Sequence, residues 1–377
     1  MLLYTLRNLI KSPIRFAQLL FSTFLVFSLI LGAMAFEEGL RQSLATSSDD
    51  KNVILMGVGS EESLERSEVT HNAISSVLTI RGLKKSFSEK AISPEVHYNS
   101  VIKVAEKEVN TLIRGVKKES LLVYPNLVIF EGDFPNSGEV MLGRTSFQRM
   151  GVKQSDLGIG SSLIYENKEF IISGFFAAPG SIMESEIWMN LNDIITLTQR
   201  DSISSITIRL DTAEFEDIDL FSKQRLDLQL TAIKESDYYK KLGQLYDPIL
   251  WMVWISAVLI AAGAFFGSMN TFYADIEGRS KELATLQAMG FQRSTLFLSL
   301  CGESLVIHFL SFQLSAICAL VFFSKLSLSF GSTYFTLSLS QPQLVSTLIL
   351  SFVLGIIVTI PASVHCLNSP LNTSLKN

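Results

Sequence analysis

The sequence predicts a membrane protein with four transmembrane α-helices and a large α+β extracytoplasmic domain between the first and second spans. Three observations carry this reading. Four segments are each apolar over roughly the 20 residues that a helix needs to cross a bilayer. Between the first two lies a charged stretch, Glu37 to Asp247, holding 23 Lys/Arg and 32 Asp/Glu. Lys and Arg outside that stretch gather on one side of the spans. Only 18% of all residues are charged, against about a quarter in a soluble protein, which agrees with lipid-facing segments.

In the N-terminal stretch Leu2, Leu3, Leu6, Leu9 and Ile10 recur at helical spacing, with Arg7, Lys11 and Arg15 on the other side. Residues 1–16 are therefore expected to form an interfacial amphipathic helix, with Pro13 turning the chain into the membrane. The first span, 17–36, carries no charge, and no small-residue cleavage site follows it. It reads as a retained anchor and not a signal peptide.

Past the first span, Phe36, Leu40 and Leu44 continue four apart. At the other end of the domain Tyr238, Leu242 and Leu245 keep similar spacing up to the second span. Segments 37–47 and 235–247 are thus expected to be two stalk helices joining membrane and domain. Between them NVILMGV, NTLIRGV and SSITIRL read as strands flanked by Gly, Ser and Asn. EVMLGRTSFQRMGV and ESEIWMNLNDIITLTQR each read as a strand leading into a helix, and SSLIYENKEFIISGFF as a hairpin near Glu166 to Lys168. The domain is expected in one or two lobes, with about 135–200 the more strand-rich. Its balance of charge is mildly acidic, so nucleic acid is not an expected partner.

The second span, 248–273, bears Trp251 and Trp254 near one end, where indoles suit the interface. The third, 296–323, holds Glu303 and His308. An intramembrane carboxylate is costly and is by default a functional candidate. Here it lies near the cytoplasmic end, within reach of Arg279 or Arg293. The fourth span covers 344–367, after a short loop at 324–342, and a tail at 368–377 follows. Seven basic residues (Arg7, Lys11, Arg15, Arg279, Lys281, Arg293 and Lys376) mark one side, against Lys325 alone on the other. The positive side faces the cytoplasm, so both termini are inside and 37–247 is outside.

Catalytic signatures are lacking. The sequence has no GxxxxGK[ST] phosphate loop, no HExxH, CxxC or GxSxG, and its four histidines show no metal-ligand spacing. Cys301, Cys318 and Cys366 lie in or beside the C-terminal spans, so a domain at 37–247 is built without disulfides.

The cytoplasmic segment 274–294 is the most informative. Glu277 and Lys281 form an i,i+4 pair, and Leu283 and Leu286 an apolar edge ahead of the helix-ending Gly290. Arg279, Glu282, Leu283, Ala284, Leu286, Gln287, Ala288, Met289 and Gly290 follow the pattern R-x-x-E-[IL]-[AG]-x-[LM]-[RK]-A-[LM]-G. In this the chain resembles the MacB/FtsX-type permease superfamily of ABC transporters, in the subgroup without a fused ATPase domain. Gln287 departs from the usual basic residue. Glu303, the closing Pro361, Ala362, Pro370 and Leu375, the S-E-I-W at Ser185 to Trp188 and SSITIRL extend the resemblance along the chain.

The resemblance implies a permease subunit, itself without enzymatic activity or cofactor, in a homo- or heterodimer bound to separate ATPase subunits that hold ATP-Mg. Glu277, Arg279, Glu282, Leu283, Leu286, Met289 and Gly290 would face the ATPase, and the stalk would relay its motion to the outer domain. The expected location is the bacterial inner membrane, and the leading expected role is export or handling of a periplasmic substrate with a periplasmic adaptor. A permease extracting lipoproteins or lipids, and a mechanical regulator of a cell-wall hydrolase, are the alternatives.

Overall fold

The computed structural model describes residues 13–86, 89–104, 107–152, 157–323, 326–330 and 333–368. Most of the expected amphipathic helix (residues 1–12), together with Lys325, Pro370, Leu375 and Lys376, lies outside the described residues. The chain divides into two compact units. Leu40–Asp247 with Ser327–Thr336 form an α/β unit, and the remainder forms a helical one.

The principal helices are α1 (Pro13–Thr46), α2 (Glu235–Leu245), α3 (Asp247–Gly278), α4 (Ser280–Ala288), α5 (Arg293–Phe322) and α6 (Gln341–Asn368). Among the described residues, α1, α3, α5 and α6 are the four helices long and apolar enough to cross a membrane. The large α/β domain lies in sequence between the first two of them.

Within the helical unit, Phe27, Leu31, Phe312, Ala316 and Ala319 form one core cluster. Hydroxyls fasten the helices where side chains are small. Thr23 bonds Ser311, and Ser311 and Ser315 donate to the Leu20 and Phe24 carbonyls at 3.1 and 2.9 Å. Ser304 donates to Gly355 O at 2.7 Å, where an added Cβ would sit only 3.1 Å from Leu305 Cδ2. Small residues that let backbones approach, with interhelical hydrogen bonds of about 0.6 kcal/mol each, are how helices associate where no water is displaced.

The α/β unit is built on a ten-stranded mixed sheet. Its strands are β1 (Asn52–Gly57), β2 (Ile92–Val104), β3 (Lys107–Val116), β4 (Val128–Gly132), β5 (Glu139–Gly143), β6 (Ser162–Tyr165), β7 (Lys168–Ala177), β8 (Ile187–Asn190), β9 (Ser205–Arg209) and β10 (Leu230–Lys234). The order is β10-β1-β9-β2-β3-β8-β5-β7-β4, with β6 beside β7 and β2. Most neighbours are antiparallel, but β8 runs parallel to β3 and β7 parallel to β5. Strand β2 joins two stretches of sheet: Ile92 to Glu95 pair with β9, and Val96 onward with β3. Strands on both sides of residue 135 thereby belong to one sheet, and the 135–200 segment does not stand apart from it.

Local chemistry explains the elements. The hairpin between β6 and β7 turns on Glu166 and Asn167, both at positive φ (47° and 60°), as a two-residue turn matched to strand twist requires. All six residues of β1 are buried because both faces of the sheet are covered. Val53, Leu55, Ile206 and Ile208 join one core with Ala73, Val77, Ile194 and Ile218 from covering helices. At Gly115 on β3 the helix Leu191–Thr198 comes so close that a Cβ would fall 2.2 Å from Ile194 Cγ2. A smaller cluster holds Val116, Val123, Met141, Phe176, Met183 and Trp188. The segment expected as a short loop between the last two spans contains a hairpin, β11 (Ser327–Phe330) and β12 (Thr333–Thr336), that belongs to the α/β unit. The Tyr334 hydroxyl lies 3.1 Å from Gln148 Oε1 and 2.6 Å from Ser327 Oγ, within hydrogen-bond distance of both.

Candidate functional site

The segment 274–292 is one long helix ending and a short one beginning. Helix α3 stops at Gly278, Arg279 takes a non-helical conformation, and α4 runs from Ser280 to Ala288. The break sits in a charge network. Arg279 Nη2 bonds Asp275 Oδ2 at 2.6 Å and Glu303 Oε1 and Oε2 at 3.2 and 3.1 Å. Asp275 in turn accepts from Arg15 Nη1 at 3.2 Å. Two cations and two carboxylates thus link α1, α3, the α3–α4 junction and α5. Of the two arginines within reach of Glu303 in the sequence, Arg279 is the one brought to it. Arg15 and Asp275 were not singled out as site residues, although Asp275 stands four residues before Arg279, the spacing that lets an acid and a base meet on a helix.

The short helix ends in a Schellman turn. Gly290 has φ +97° and its N–H bonds Gln287 O at 3.0 Å, while Phe291 N–H bonds Leu286 O at 3.2 Å. A side chain at Gly290 would meet nothing within 4 Å, so the requirement for glycine is conformational. Leu283 faces inward, in a core with Leu19, Phe272, Ile276, Leu300, Ile307, Val358 and Ala362. Leu286 is half-buried. Glu277, Glu282, Met289 and Gly290 are exposed, Met289 by 64% with Phe291 beside it.

His308 is buried one turn beyond Ser304 on α5. Its Nδ1 lies 2.9 Å from the Ser304 carbonyl and its ring meets Phe27 edge-on, while Nε2 has no partner among the described residues. Ser304 Oγ lies 3.4 Å from Nδ1 and donates to the Gly355 carbonyl at 2.7 Å.

The two stalk segments differ. Helix α1 continues unbroken to Thr46; Phe36 is half-buried and Leu40 and Leu44 are buried. Helix α2 buries Tyr238, half-buries Leu242 and exposes Leu245, then stops before α3 begins at Asp247. Pro248 sits in the first turn of α3 and lacks the N–H that would bond the carbonyl four residues back, so the two helices do not run together. Gly243 of α2 lies against Leu44 of α1, where a Cβ would be 3.4 Å from Leu44 Cδ1. Segment 37–47 thus falls in one continuous helix up to Thr46, and segment 235–247 holds a helix break at Tyr246.

The α/β unit contains a buried ionic cluster that the sequence did not reveal. His97, Arg114, Trp188 and Met141 are in register across β2, β3, β8 and β5. Arg114 grips Glu186 with two parallel hydrogen bonds, Nε to Oε2 at 2.7 Å and Nη2 to Oε1 at 2.6 Å. Its Nη1 bonds Glu95 Oε2 at 2.9 Å, and Tyr124 OH donates to Glu95 Oε1 at 2.7 Å. Trp188 Nε1 adds a bond to Glu186 Oε2 at 2.9 Å, and His97 meets Glu95 at 3.0 Å. Burial alone would raise the Glu95 carboxyl, but Arg114 and His97 outweigh it and hold it at about 2. Within the S-E-I-W stretch the Glu thus binds this arginine and the Trp binds that Glu. A cavity of about 120 Å³ beside it is lined by Tyr238, Tyr239 and Leu242 of α2.

Comparison with known proteins places these features. Residues 254–375 match the model of the FtsX-like permease C-terminal domain. No curated protein matches the chain significantly. Among solved structures, the periplasmic region of MacB from Actinobacillus actinomycetemcomitans is similar at 11% identity and a TM-score of 0.40, over 51% of this chain and 91% of that one. The extracellular domain of the noncanonic ABC-type transporter YknZ from Gram-positive bacteria is similar at 13% identity and 0.38, over 48% of this chain and 99% of that one. Residues 254–375, with the last three membrane-length helices and the Arg279–Gly290 segment, thus match an FtsX-like permease C-terminal domain.

Proposed function

We propose that this chain is the permease subunit of an ABC transporter that works with separate ATPase subunits and moves its large domain to export or handle a periplasmic substrate. The observation that carries the reading is the FtsX-like permease match over 254–375, within which Met289, Gly290 and Phe291 form an exposed tip on a tethered helix. Leu283 and the Arg279 network fix that helix to the helical unit, and the tip is what a nucleotide-binding subunit would grip. Hydrolysis there would tilt α4, pull on Arg279, and pass through Asp275 and Glu303 to α3 and α5. The unbroken α1 and the jointed α2 would carry the motion into the α/β unit.

In this reading the permease is dimeric and sits in the bacterial inner membrane, with both termini in the cytoplasm and the α/β unit in the periplasm, where an adaptor protein would meet it. ATP and its magnesium belong to the partner subunit. The test is co-purification of the ATPase with Met289→Asp and Phe291→Asp. Both should insert normally and lose the ATPase; retention by both refutes the docking site.

A further inference from the structure

A second cavity, of about 350 Å³, opens in the α/β unit at the head of the stalk. It lies where α1 ends at Thr46 and where α2 starts at Glu235, so its walls include both arms. Val123, Leu127 and Met183 supply an apolar body. The volume lies within the range of small-molecule sites, and apolar walls with a few converging polar groups are their usual make-up.

The polar groups have a definite arrangement. Asp49 pairs with Arg209 at 2.8 Å, so its charge is already met. Asn52 Nδ2 and the Asp49 N–H both donate to Glu235 Oε2, each at 2.9 Å. Glu235 is 1% exposed and lines the cavity, and both of these bonds fall on its Oε2. We propose that this cavity binds an uncharged small molecule with a mostly apolar body and one hydrogen-bond acceptor, to which Glu235 donates from Oε1.

The protonation state fits. Burial pushes the Glu235 carboxyl up to about 8, against the lowering effect of Asn52 and the Asp49 N–H. Glu95 raises it further and Arg114 lowers it; Tyr124 and Tyr239 also face it and are neutral. Near pH 7 the carboxyl therefore carries its proton, and since Oε2 accepts two bonds the proton resides on Oε1. From the cavity wall that proton can be donated to a ligand carbonyl, ester or hydroxyl. A cationic ligand would instead require ionised Glu235, and an anionic one would find Arg209 already occupied. Because both stalk arms line the cavity, an occupant would bias their spacing, which places the site where a cargo or an effector would be sensed.

Benzophenone, an uncharged apolar ketone, is a suitable probe. The full chain in detergent would be irradiated with increasing benzophenone and the labelled peptides identified by mass spectrometry. Saturable labelling of peptides containing Met183 or Val123 to Leu127 is expected at pH 6.5, falling several-fold at pH 9.5 as Glu235 ionises. Glu235→Gln, whose amide is a neutral donor at any pH, should label equally at both. Asn126→Trp, at the exposed rim, should lower labelling. Labelling that rises without saturation, that is indifferent to Asn126→Trp, or that keeps the same pH dependence in Glu235→Gln overturns the proposal. ATPase docking is not involved in this readout, so the two proposals fail separately.

Discussion

Replacing Arg114 by Met should destabilise the α/β unit more than any other single change in it. The substitution keeps much of the side-chain volume but leaves Glu95 and Glu186, with side chains 1% and 2% exposed, without their cation. Breaking a buried pair by removing one partner costs about 3–5 kcal/mol. The Glu95 shift gives a similar figure: a carboxyl held at about 2 against an ordinary 4.5 corresponds to about 3–4 kcal/mol at about 1.4 kcal/mol per unit. In a domain of this size each kcal/mol moves the melting temperature by about 2–4 °C, so a fall on the order of 6–20 °C is expected. The sign with pH is defined. A depressed carboxyl contributes fully above its unfolded value of 4.5, and that contribution is lost as the pH falls towards 2. The difference between wild type and Arg114→Met should therefore shrink below pH 4.5. Thermal unfolding of the full chain, followed by Trp188 fluorescence at pH 7 and pH 4, measures both. A variant melting within 2 °C of wild type at pH 7 refutes the cluster's role.

Further outcomes follow from other sites. Glu235→Gln should raise stability above pH 7, since an elevated carboxyl favours folding below 4.5 and loses that advantage as pH rises towards 8; the melting temperature of wild type should fall across pH 5–8 and that of the variant should not. Gly290→Ala should cost about 1 kcal/mol of local helix-end stability through its positive φ, read as faster amide exchange at Phe291. A Gly-Gly-Ser insert after Leu44 should leave the ATPase bound and abolish cellular activity, because it breaks the continuous arm of the stalk; an active insert mutant counts against mechanical relay.

The four membrane-length helices were legible because runs of about 20 apolar residues have few other uses. The hairpin at Glu166–Asn167 and the strand-to-helix steps at 139–150 and 187–198 were legible from alternation and turn residues. The Glu95–Arg114–Glu186 cluster was not. Its members are far apart in sequence, and only the register of β2, β3 and β8 aligns them. The hairpin at Ser327–Thr336 was hidden for a similar reason: a serine-rich loop gives no sign that Tyr334 will reach Gln148. Leu283 read as part of an apolar edge facing the ATPase, but helical spacing alone does not say which face turns to the core. The break before α3 was written in Pro248, a signal outweighed by the apolar spacing around it.

The central claim is that 274–292 is the seat of a separate ATPase, and a photo-crosslinking residue at Met289 tests it most directly. Placed there and at Phe291 in native membranes, it should yield adducts with a protein bearing a GxxxxGK[ST] loop, lost when the same residue is placed at buried Leu283. No adduct with such a protein from either exposed position would contradict the account.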